Sequence, residues 1–166
     1  MRRKDREMPR EFALEVSDKC EYAVLSMVDV GGEPYCVPVT IVRIGNSVYF
    51  HCAYEGLKIE CLKNHNRVCI ACVGDTKRAL DKFTTEFESA VIRGDAFEVT
   101  DGEEKISALR ALCQRHTPTN MAAFDEAVEK SLSRTAVWRV DMTEVTGKRK
   151  KYHVDGKEIK SGKAEG

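Results

Sequence analysis

The stretch YAVLSMVDVGGEPYCVPVTIVRIGNSVYFHCA, residues 22–53, decides the fold of this chain. Three runs rich in β-branched and other apolar residues are separated by GGEP and by Gly45-Asn46, which are strong turn signals. Apolar runs joined by such short turns predict three antiparallel strands in a meander. We expect these strands at residues 22–30, 35–44 and 47–53.

Further apolar runs extend this pattern over most of the chain. They carry strand-like stretches of β-branched residues, and the helical spacing of apolar residues appears between them. Strands without regular helix alternation argue against a parallel doubly wound sheet. The sequence therefore predicts a mainly β (α+β) fold, a six-stranded antiparallel β-barrel with flanking helices. The other expected elements are strands at 67–75, 83–100 and 135–148, helices at 3–16, 56–64, 101–116 and 121–132, a turn at Ser17-Asp18, and a loop or helical turn at 75–82.

Composition places the chain among ordinary globular proteins. Its 166 residues suit one domain, which we assign to residues 1–150, followed by a loosely ordered Lys- and Gly-rich tail at 151–166. Lys plus Arg and Asp plus Glu both number 27, so the formal net charge is zero and bulk nucleic-acid binding is disfavoured. No apolar run approaches the roughly 20 residues of a membrane helix. The basic start lacks the apolar segment of a secretory signal, so we expect a cytoplasmic protein.

Seven cysteines raise the question of metal or thiol chemistry. Cys61, His65, Cys69 and Cys72 are residue types that bind zinc. However, Cys69 and Cys72 lie three residues apart on an expected strand and therefore point to opposite faces. Buried, reduced thiols are the favoured interpretation, and we predict no metal site. A Cys–His hydrolase is less favoured still, because Cys113 and the nearby His116 have no evident cleft or orienting acid.

The stretch YFHCAYEGLK, residues 49–58, is the strongest candidate for a binding site. A strand ends there, Gly56 permits a turn, and a helix begins near Leu57. The first amides of a helix are unpaired and attract anions. Lys58 is unfavourable at a helix N-terminus unless an anion binds beside it. An ordinary surface lysine at a helix start and a phosphate site both fit this pattern.

Pro38 stands inside the second expected strand. Proline donates no hydrogen bond to a sheet ladder, so this strand lies at a sheet edge or carries a bulge that faces a ligand. The sequence leaves both alternatives open.

An ordered set of motifs resembles the pyridoxamine 5'-phosphate oxidase-like split-barrel flavoproteins, and most of all their nitroimidazole-resistance subgroup. The motifs are MRRKDRE, YAVLSMVDVGGEPYCVPVTIV, VYFHCAYEGLK, NHNRVCIACVGD, SAVIRGDAFEV and VWRVDMTEVTGK. The resemblance implies a six-stranded split barrel that dimerises and binds FMN in a groove between subunits. Relatives that oxidise pyridoxamine phosphate carry Arg before the lysine of the phosphate site, where this chain has Leu57. We therefore do not expect vitamin oxidase activity.

The resemblance also implies which residues contact FMN. The strand over residues 36–41 runs beside the flavin ring, the end of the next strand touches the ring and ribityl chain, and the following helix start holds the phosphate. A polar residue of the long strand and a tryptophan of the last strand, contributed by the partner subunit, complete the set. The residues implied are Val37, Pro38, Val39, Thr40, His51, Cys52, Ala53, Gly56, Leu57, Lys58, Ser89 and Trp138.

The implied function is that of an FMN-dependent oxidoreductase acting on a small molecule, with a nitroimidazole as one candidate substrate. His51 is the candidate catalytic residue, with a hydrogen bond to the cofactor or backbone as its simpler role. One alternative is a flavin- or haem-binding module without turnover, in which His51, His65 or His116 would ligate haem. A zinc-stabilised regulatory protein is a third interpretation. The sequence does not select a substrate or an electron donor.

Overall fold

The structure, a computed structural model, describes residues 2–161, and this part of the chain forms one antiparallel sheet of eight strands. The strands are β1 (Glu7–Met8), β2 (Ala23–Val28), β3 (Pro34–Val39), β4 (Val42–Ile44), β5 (Ser47–Cys52), β6 (Arg67–Ala79), β7 (Thr84–Glu98) and β8 (Ala136–Lys150). Their order in the sheet is β3-β2-β6-β7-β8-β5-β4, with β1 paired to β8. The predicted antiparallel split-barrel architecture with flanking helices is confirmed, but the predicted number of six strands is wrong.

Helices flank the sheet on more than one side. α1 (Arg10–Lys19) packs against β6, β7 and β8, whereas α3 (Gly102–His116) contacts β4, β5 and β8. None of the described helices is long and apolar enough to cross a membrane. The α-helices within the described residues are α1 (Arg10–Lys19), α2 (Leu57–Asn64), α3 (Gly102–His116) and α4 (Phe124–Ser131).

The start of α3 follows the prediction, whereas α1 does not. Asp101 caps α3, and its Oδ1 accepts a hydrogen bond of 2.7 Å from the Glu104 amide. The first helix begins after Pro9 rather than at Arg3, and the turn predicted at Ser17-Asp18 lies inside the helix. The Ser17 hydroxyl donates to the carbonyl oxygen of Leu14 at 2.7 Å, so this polar residue is satisfied within the helix and does not end it.

The sheet curls into a split barrel because its two end strands are consecutive in the sequence. β3 ends at Val39 and β4 begins at Val42, so Thr40 and Ile41 alone connect opposite ends of the strand order. β3 pairs with β2 and β4 pairs with β5, each through one hairpin. The predicted single strand over residues 35–44 is therefore wrong, and so is the meander.

Two features accompany the break between β3 and β4. Pro38 lies in an edge strand, opposite Val24 of β2, where its missing N–H costs no ladder bond. Ile41 is fully buried, and its carbonyl oxygen accepts hydrogen bonds from Arg115 Nη1 and His116 Nε2, both at 2.8 Å. This carbonyl is therefore bonded to α3 at the point where the chain leaves one edge of the sheet and enters the other.

The two predicted turns are present. In the first, Asp29 Oδ1 accepts hydrogen bonds of 2.8 Å from the amides of Gly31 and Glu33. In the second, Gly45 has a φ of +61°, which favours glycine. These local signals fix the β2–β3 and β4–β5 hairpins.

β6 and β7 form a longer hairpin than the sequence predicts. β6 continues to Ala79 and β7 starts at Thr84, so the segment 75–82, predicted as a loop or a helical turn, is mostly strand. Thr76–Ala79 pairs with residues 84–87 beyond a register shift that begins at Val73. Most side chains of this strand extension are polar and exposed, and a strand of that kind lacks the apolar alternation by which strands are recognised.

Side-chain alternation along β5 divides the core into two clusters. Phe50 points into the barrel, where it packs with Leu25, Ile70 and Ile92. Tyr49 points the other way, into a cluster with Val137 beneath α3 and α4. The residues that follow on β5 continue this alternation, which places the site described below.

The predicted tail is described as far as Ser161, and residues 162–166 lie outside the described residues. Its described part folds back on the N-terminal segment. Arg6 donates from Nε and Nη2 to the carboxylate of Glu158 at 2.5 and 3.0 Å. The amide of Ser161 donates to the carbonyl of Asp5 at 3.0 Å.

Candidate functional site

The predicted phosphate site lies where β5 leads into α2. Gly56 has a φ of +109° and a ψ of 166°, a conformation that essentially only glycine adopts. Its carbonyl accepts hydrogen bonds from the amides of Ile59 (2.9 Å) and Glu60 (3.2 Å), which starts the helix at Leu57. Among residues 2–161, no side chain caps this N-terminus. The first amides of α2 are therefore available to an anion.

Lys58 brings a positive charge to the same corner. Its side chain is half-buried, and its Nζ lies 5.8 Å from the centroid of the Phe50 ring. The ammonium also acts on two neighbours at the end of β5, because its charge lowers the pKa of His51 and opposes the rise in the pKa of Cys52. The predicted group of His51, Cys52, Leu57 and Lys58 is thus brought together.

His51 is an exposed residue of β5 that lies opposite Val137. Partial desolvation lowers the pKa of its imidazole, and the positive charges of Lys58 and His116 lower it further. A lowered pKa keeps the imidazole neutral at neutral pH, with one nitrogen that donates and one that accepts. His51 can therefore hydrogen-bond a cofactor or substrate without adding a charge.

Cys52 lies on the opposite face of β5 and packs against the barrel core. Burial raises the pKa of its thiol, so the protonated form dominates at neutral pH. Ala53 follows as an exposed residue beyond the strand. This alternation separates His51 from Cys52 and gives no Cys–His nucleophile at this position.

The edge of the sheet formed by β3 contains the residues expected beside the flavin ring. The side chains of Val37 and Val39 pack inward, whereas Pro38 and Thr40 are exposed. Within the described residues β3 is hydrogen-bonded to β2 alone, so the other side of its backbone carries no ladder. That side can accept a flat group.

Trp138 and Ser89 lie apart from the surface of this corner. Trp138 is 4% exposed and stands opposite Phe50 inside the barrel, where its Nε1 has no hydrogen-bond partner among residues 2–161. It underlies the site rather than lining its surface. Ser89 is a half-buried residue of β7, paired with Val73 and Lys148. Their contacts with a cofactor remain predictions.

An uncovered row of small side chains crosses the outer face of the sheet. Successive strand pairings align Pro38 with Val24, Val24 with Ala71, Ala71 with Val91, and Val91 with Thr146. None of these five side chains is buried in the single chain. The row begins at the strand expected beside the flavin.

Sequence reasoning missed His116 as part of this corner. It ends α3, its Nε2 is bonded to the carbonyl of Ile41, and its charge reaches His51. From the sequence, His116 is a candidate only for a hydrolase site or as a haem ligand, because no local pattern indicates that α3 ends near β5. The fold alone brings the two histidines together.

The predicted zinc alternative has no support in the described part of the chain. No group of three or more His, Cys, Asp or Glu side chains there could hold a metal ion. Cys61 and Cys72 are fully buried in the core, whereas His65 is exposed at the end of α2.

Comparison with known families agrees with this geometry. The sequence profile described as pyridoxamine 5'-phosphate oxidase matches residues 10–149. The chain belongs to this family. The matched region includes β2 to β7 and all but the last residue of β8, and therefore every residue of the candidate site. No curated protein matches the chain.

Solved structures similar to this pyridoxamine 5'-phosphate oxidase family member share its fold. A provisional 5-nitroimidazole antibiotic resistance protein from Bacteroides thetaiotaomicron is 27% identical, with a TM-score of 0.73 and 86% of each chain covered. The flavocytochrome Anf3 from Azotobacter vinelandii is 21% identical, with a TM-score of 0.74 and coverage of 93% of this chain and 71% of that one. A FAD and haem binding protein from Mycobacterium smegmatis is 18% identical, with a TM-score of 0.74 and coverage of 87% and 73%.

Proposed function

We propose that the chain binds FMN and acts as a flavin-dependent oxidoreductase on a small molecule. The observation that carries this proposal is the start of α2, where an uncapped helix N-terminus and Lys58 face the open end of β5. Membership of the pyridoxamine 5'-phosphate oxidase family supports the same function. The cysteines, all free, suit the reducing cytoplasm in which we place the protein.

The residues of this corner fit a phosphate. The first amides of α2 supply hydrogen-bond donors, and Lys58 supplies a full positive charge that the helix alone would not favour. A phosphate monoester carries a double negative charge that satisfies both. Leu57 gives no charge, so Lys58 is the cation of the site in this proposal.

The flavin ring would lie beside β3. The backbone of residues 37–40 is open on the side away from β2, and the prolines at 34 and 38 remove two donors from the strand. A planar heteroaromatic ring can take the place of a neighbouring strand there. Val37 and Val39 anchor the strand to the core, so that its backbone is held in position.

FMN, when bound, would supply the two-electron transfer, and the protein would orient it and hold protons. His51 is the group that we assign to the reacting side. Its imidazole is neutral and exposed, and it can donate a hydrogen bond or a proton at one ring nitrogen. A 5-nitroimidazole is the first substrate to test, because a similar chain of 27% identity carries that description.

A second copy of the chain is the proposed partner. Family members commonly dimerise, and the row from Pro38 to Thr146 presents a flat, small-residue surface that one chain leaves uncovered. Ser89 lies on the same outer face of the sheet, and we propose that it and Trp138 approach the flavin only in the dimer.

The test is the visible spectrum of the freshly purified protein, followed by titration with FMN and anaerobic reduction with NADH or NADPH. The absorption bands of an oxidised flavin in the purified or FMN-titrated protein would support the flavin proposal. A colourless protein that does not bind added FMN would refute it. Mass analysis of the extracted cofactor separates FMN from FAD.

Cofactor binding without turnover is the second candidate. It is favoured by the fold-level likeness to the flavocytochrome and to the FAD and haem binding protein. A Soret band would indicate haem, with His51, His65 and His116 as candidate ligands. Bound flavin that NADH, NADPH and dithionite reduce without transfer to any nitro compound would indicate a carrier.

A further inference from the structure

Lys105 of α3 is a lysine that the protein buries almost completely. It is 8% exposed, and its Nζ donates hydrogen bonds to the hydroxyl of Tyr54 (2.8 Å) and to the carbonyl of Leu132 (3.0 Å). Both acceptors are neutral. The preceding Glu104 pairs with Arg139 instead, and no carboxylate of the described residues forms an ion pair with Lys105. A buried ammonium without a counter-charge costs free energy that a methionine of similar length would not, so packing alone does not explain this lysine.

The tyrosine that Lys105 binds belongs to the turn between β5 and α2, residues 53–56. All four residues of this turn are exposed. Within the described part of the chain, the turn makes one hydrogen bond to an element other than α2, and that bond is the one from Lys105 to Tyr54. The ammonium also lies 5.2 Å from the centroid of the Tyr54 ring, which adds a cation–π contact. Lys105 therefore connects this turn to α3.

The residue before Lys105 holds β5 in the same way. Glu104 Oε1 accepts a hydrogen bond of 2.9 Å from the hydroxyl of Tyr49, five positions before Tyr54. The segment between the two tyrosines contains His51 and the end of β5. Two consecutive residues of α3 thus attach both ends of this segment to the helix.

We propose that Lys105 is a positioning residue of the phosphate site at the start of α2. Its bond to Tyr54 fixes the turn, so that Gly56 keeps its φ of +109° and α2 starts where Lys58 can act with the first amides. Without this bond, phosphate binding would have to order the turn, which costs free energy. Lys105 acts through Tyr54 and does not contact the phosphate. The inference rests on the proposed flavin function.

The test titrates the full chain with FMN and with riboflavin, which lacks the phosphate. Lys105→Met and Tyr54→Phe should each weaken FMN binding about fivefold or more and riboflavin binding less than about twofold, because each removes one hydrogen bond to a charged group. The double variant should bind FMN as weakly as either single variant, since both substitutions remove the same bond. Lys130→Met and Tyr22→Phe change an exposed lysine and an exposed tyrosine, and both control variants should bind both flavins normally.

Salt separates positioning from direct contact. FMN binding by Lys105→Met should weaken with added salt as steeply as it does in the unsubstituted protein, because Lys58 remains in place. A salt dependence as shallow as that of Lys58→Met would place Lys105 on the phosphate itself and contradict the proposal.

The remaining outcomes are also decisive. Equal losses for FMN and riboflavin, or unchanged FMN binding in both variants, would overturn the proposal. If Lys105→Met does not fold, Tyr54→Phe decides alone, since it removes only the hydroxyl of a residue that is 43% exposed. An unsubstituted protein that binds no FMN would refute the proposed function together with this inference, whereas normal FMN binding with unaffected variants would refute the inference alone.

Discussion

Arg115 Nη1 donates a hydrogen bond of 2.8 Å to the carbonyl oxygen of Ile41, and this bond connects α3 to the two residues that cross the split of the barrel. The same guanidinium binds the carbonyls of Ser17 and Cys20, at the end of α1. One side chain therefore fixes three elements of the fold: α1, α3 and the crossover between β3 and β4.

Arg115→Met should lower the free energy of unfolding by about 2–4 kcal/mol, because it removes three charge-assisted hydrogen bonds that join α1, α3 and the crossover. Urea denaturation measures this loss. Arg93→Met is the matched control, since Arg93 forms an exposed pair with Glu144 at 2.8 Å and should cost under about 1 kcal/mol. Equal losses in the two variants would contradict the role assigned to Arg115.

The crossover also shows where prediction from the sequence ends. The β-branched pattern extends from Tyr35 to Ile44 with no turn signal at Thr40 and Ile41, so nothing local distinguishes one long strand from two. The break depends on the buried Ile41 and its bonds to α3, which come from a distant part of the chain. By contrast, the turn at Asp29–Glu33 and the start of α3 beside Asp101 are local, and the sequence predicts both.

The candidate site likewise contains some residues that the sequence identifies and others that only the fold identifies. Gly56 and Lys58 were recognisable because a helix start has a chemical signature within a few residues. His116 was not, because its approach to His51 depends on how α3 packs on β5. The residues of β3 are assigned to the site through the resemblance to a family, because their spacing alone does not identify them.

Lys58→Met should weaken FMN binding roughly tenfold or more, because a charge-assisted contact with phosphate contributes at least about 1.4 kcal/mol. Fluorescence titration of FMN measures the change. The loss should shrink as salt is added, since salt screens the lysine in the unsubstituted protein. Lys63→Met, at the other end of α2, is the control and should bind FMN normally. Similar affinities for the two variants would remove Lys58 from the site.

Gly56→Ala should destabilise the protein by about 1–3 kcal/mol, because an L-residue is strained at a φ of +109°. An added Cβ there would meet no atom within 4 Å, so the cost is conformational rather than steric. Gly102→Ala, at the exposed start of α3, has equally open space and no positive φ, and should be neutral or slightly stabilising. Thermal unfolding of both variants separates the two outcomes, and equal Tm values would contradict the strained backbone at Gly56.

Gly94→Ala should be the more damaging glycine substitution. Its Cβ would lie 2.3 Å from the carbonyl oxygen of Asp141, across the irregular pairing of β7 and β8. The backbone must move to relieve this clash, so we expect the free energy of unfolding to fall by about 2–3 kcal/mol, or the variant not to fold. Urea denaturation, or the soluble yield if the variant does not fold, provides the measurement. A variant as stable as Gly102→Ala would show that β7 and β8 are not this close.

His51 should titrate below its ordinary pKa, and the direction of the effect on stability follows from that. Desolvation and the charges of Lys58 and His116 lower the pKa of His51 in the folded state, so between the two pKa values the unfolded chain binds more protons. The contribution of His51 to stability is therefore fully present above about pH 6.5, the pKa in the unfolded chain. It declines as the pH falls from there through the lowered pKa of the folded state. NMR titration of the imidazole resonances measures the folded value. Lys58→Met should raise that value, because it removes a positive charge, whereas Lys63→Met should leave it unchanged. A pKa of 6.5 or above in the unsubstituted protein, or no shift in the Lys58 variant, would place Lys58 too far from His51 to act on it.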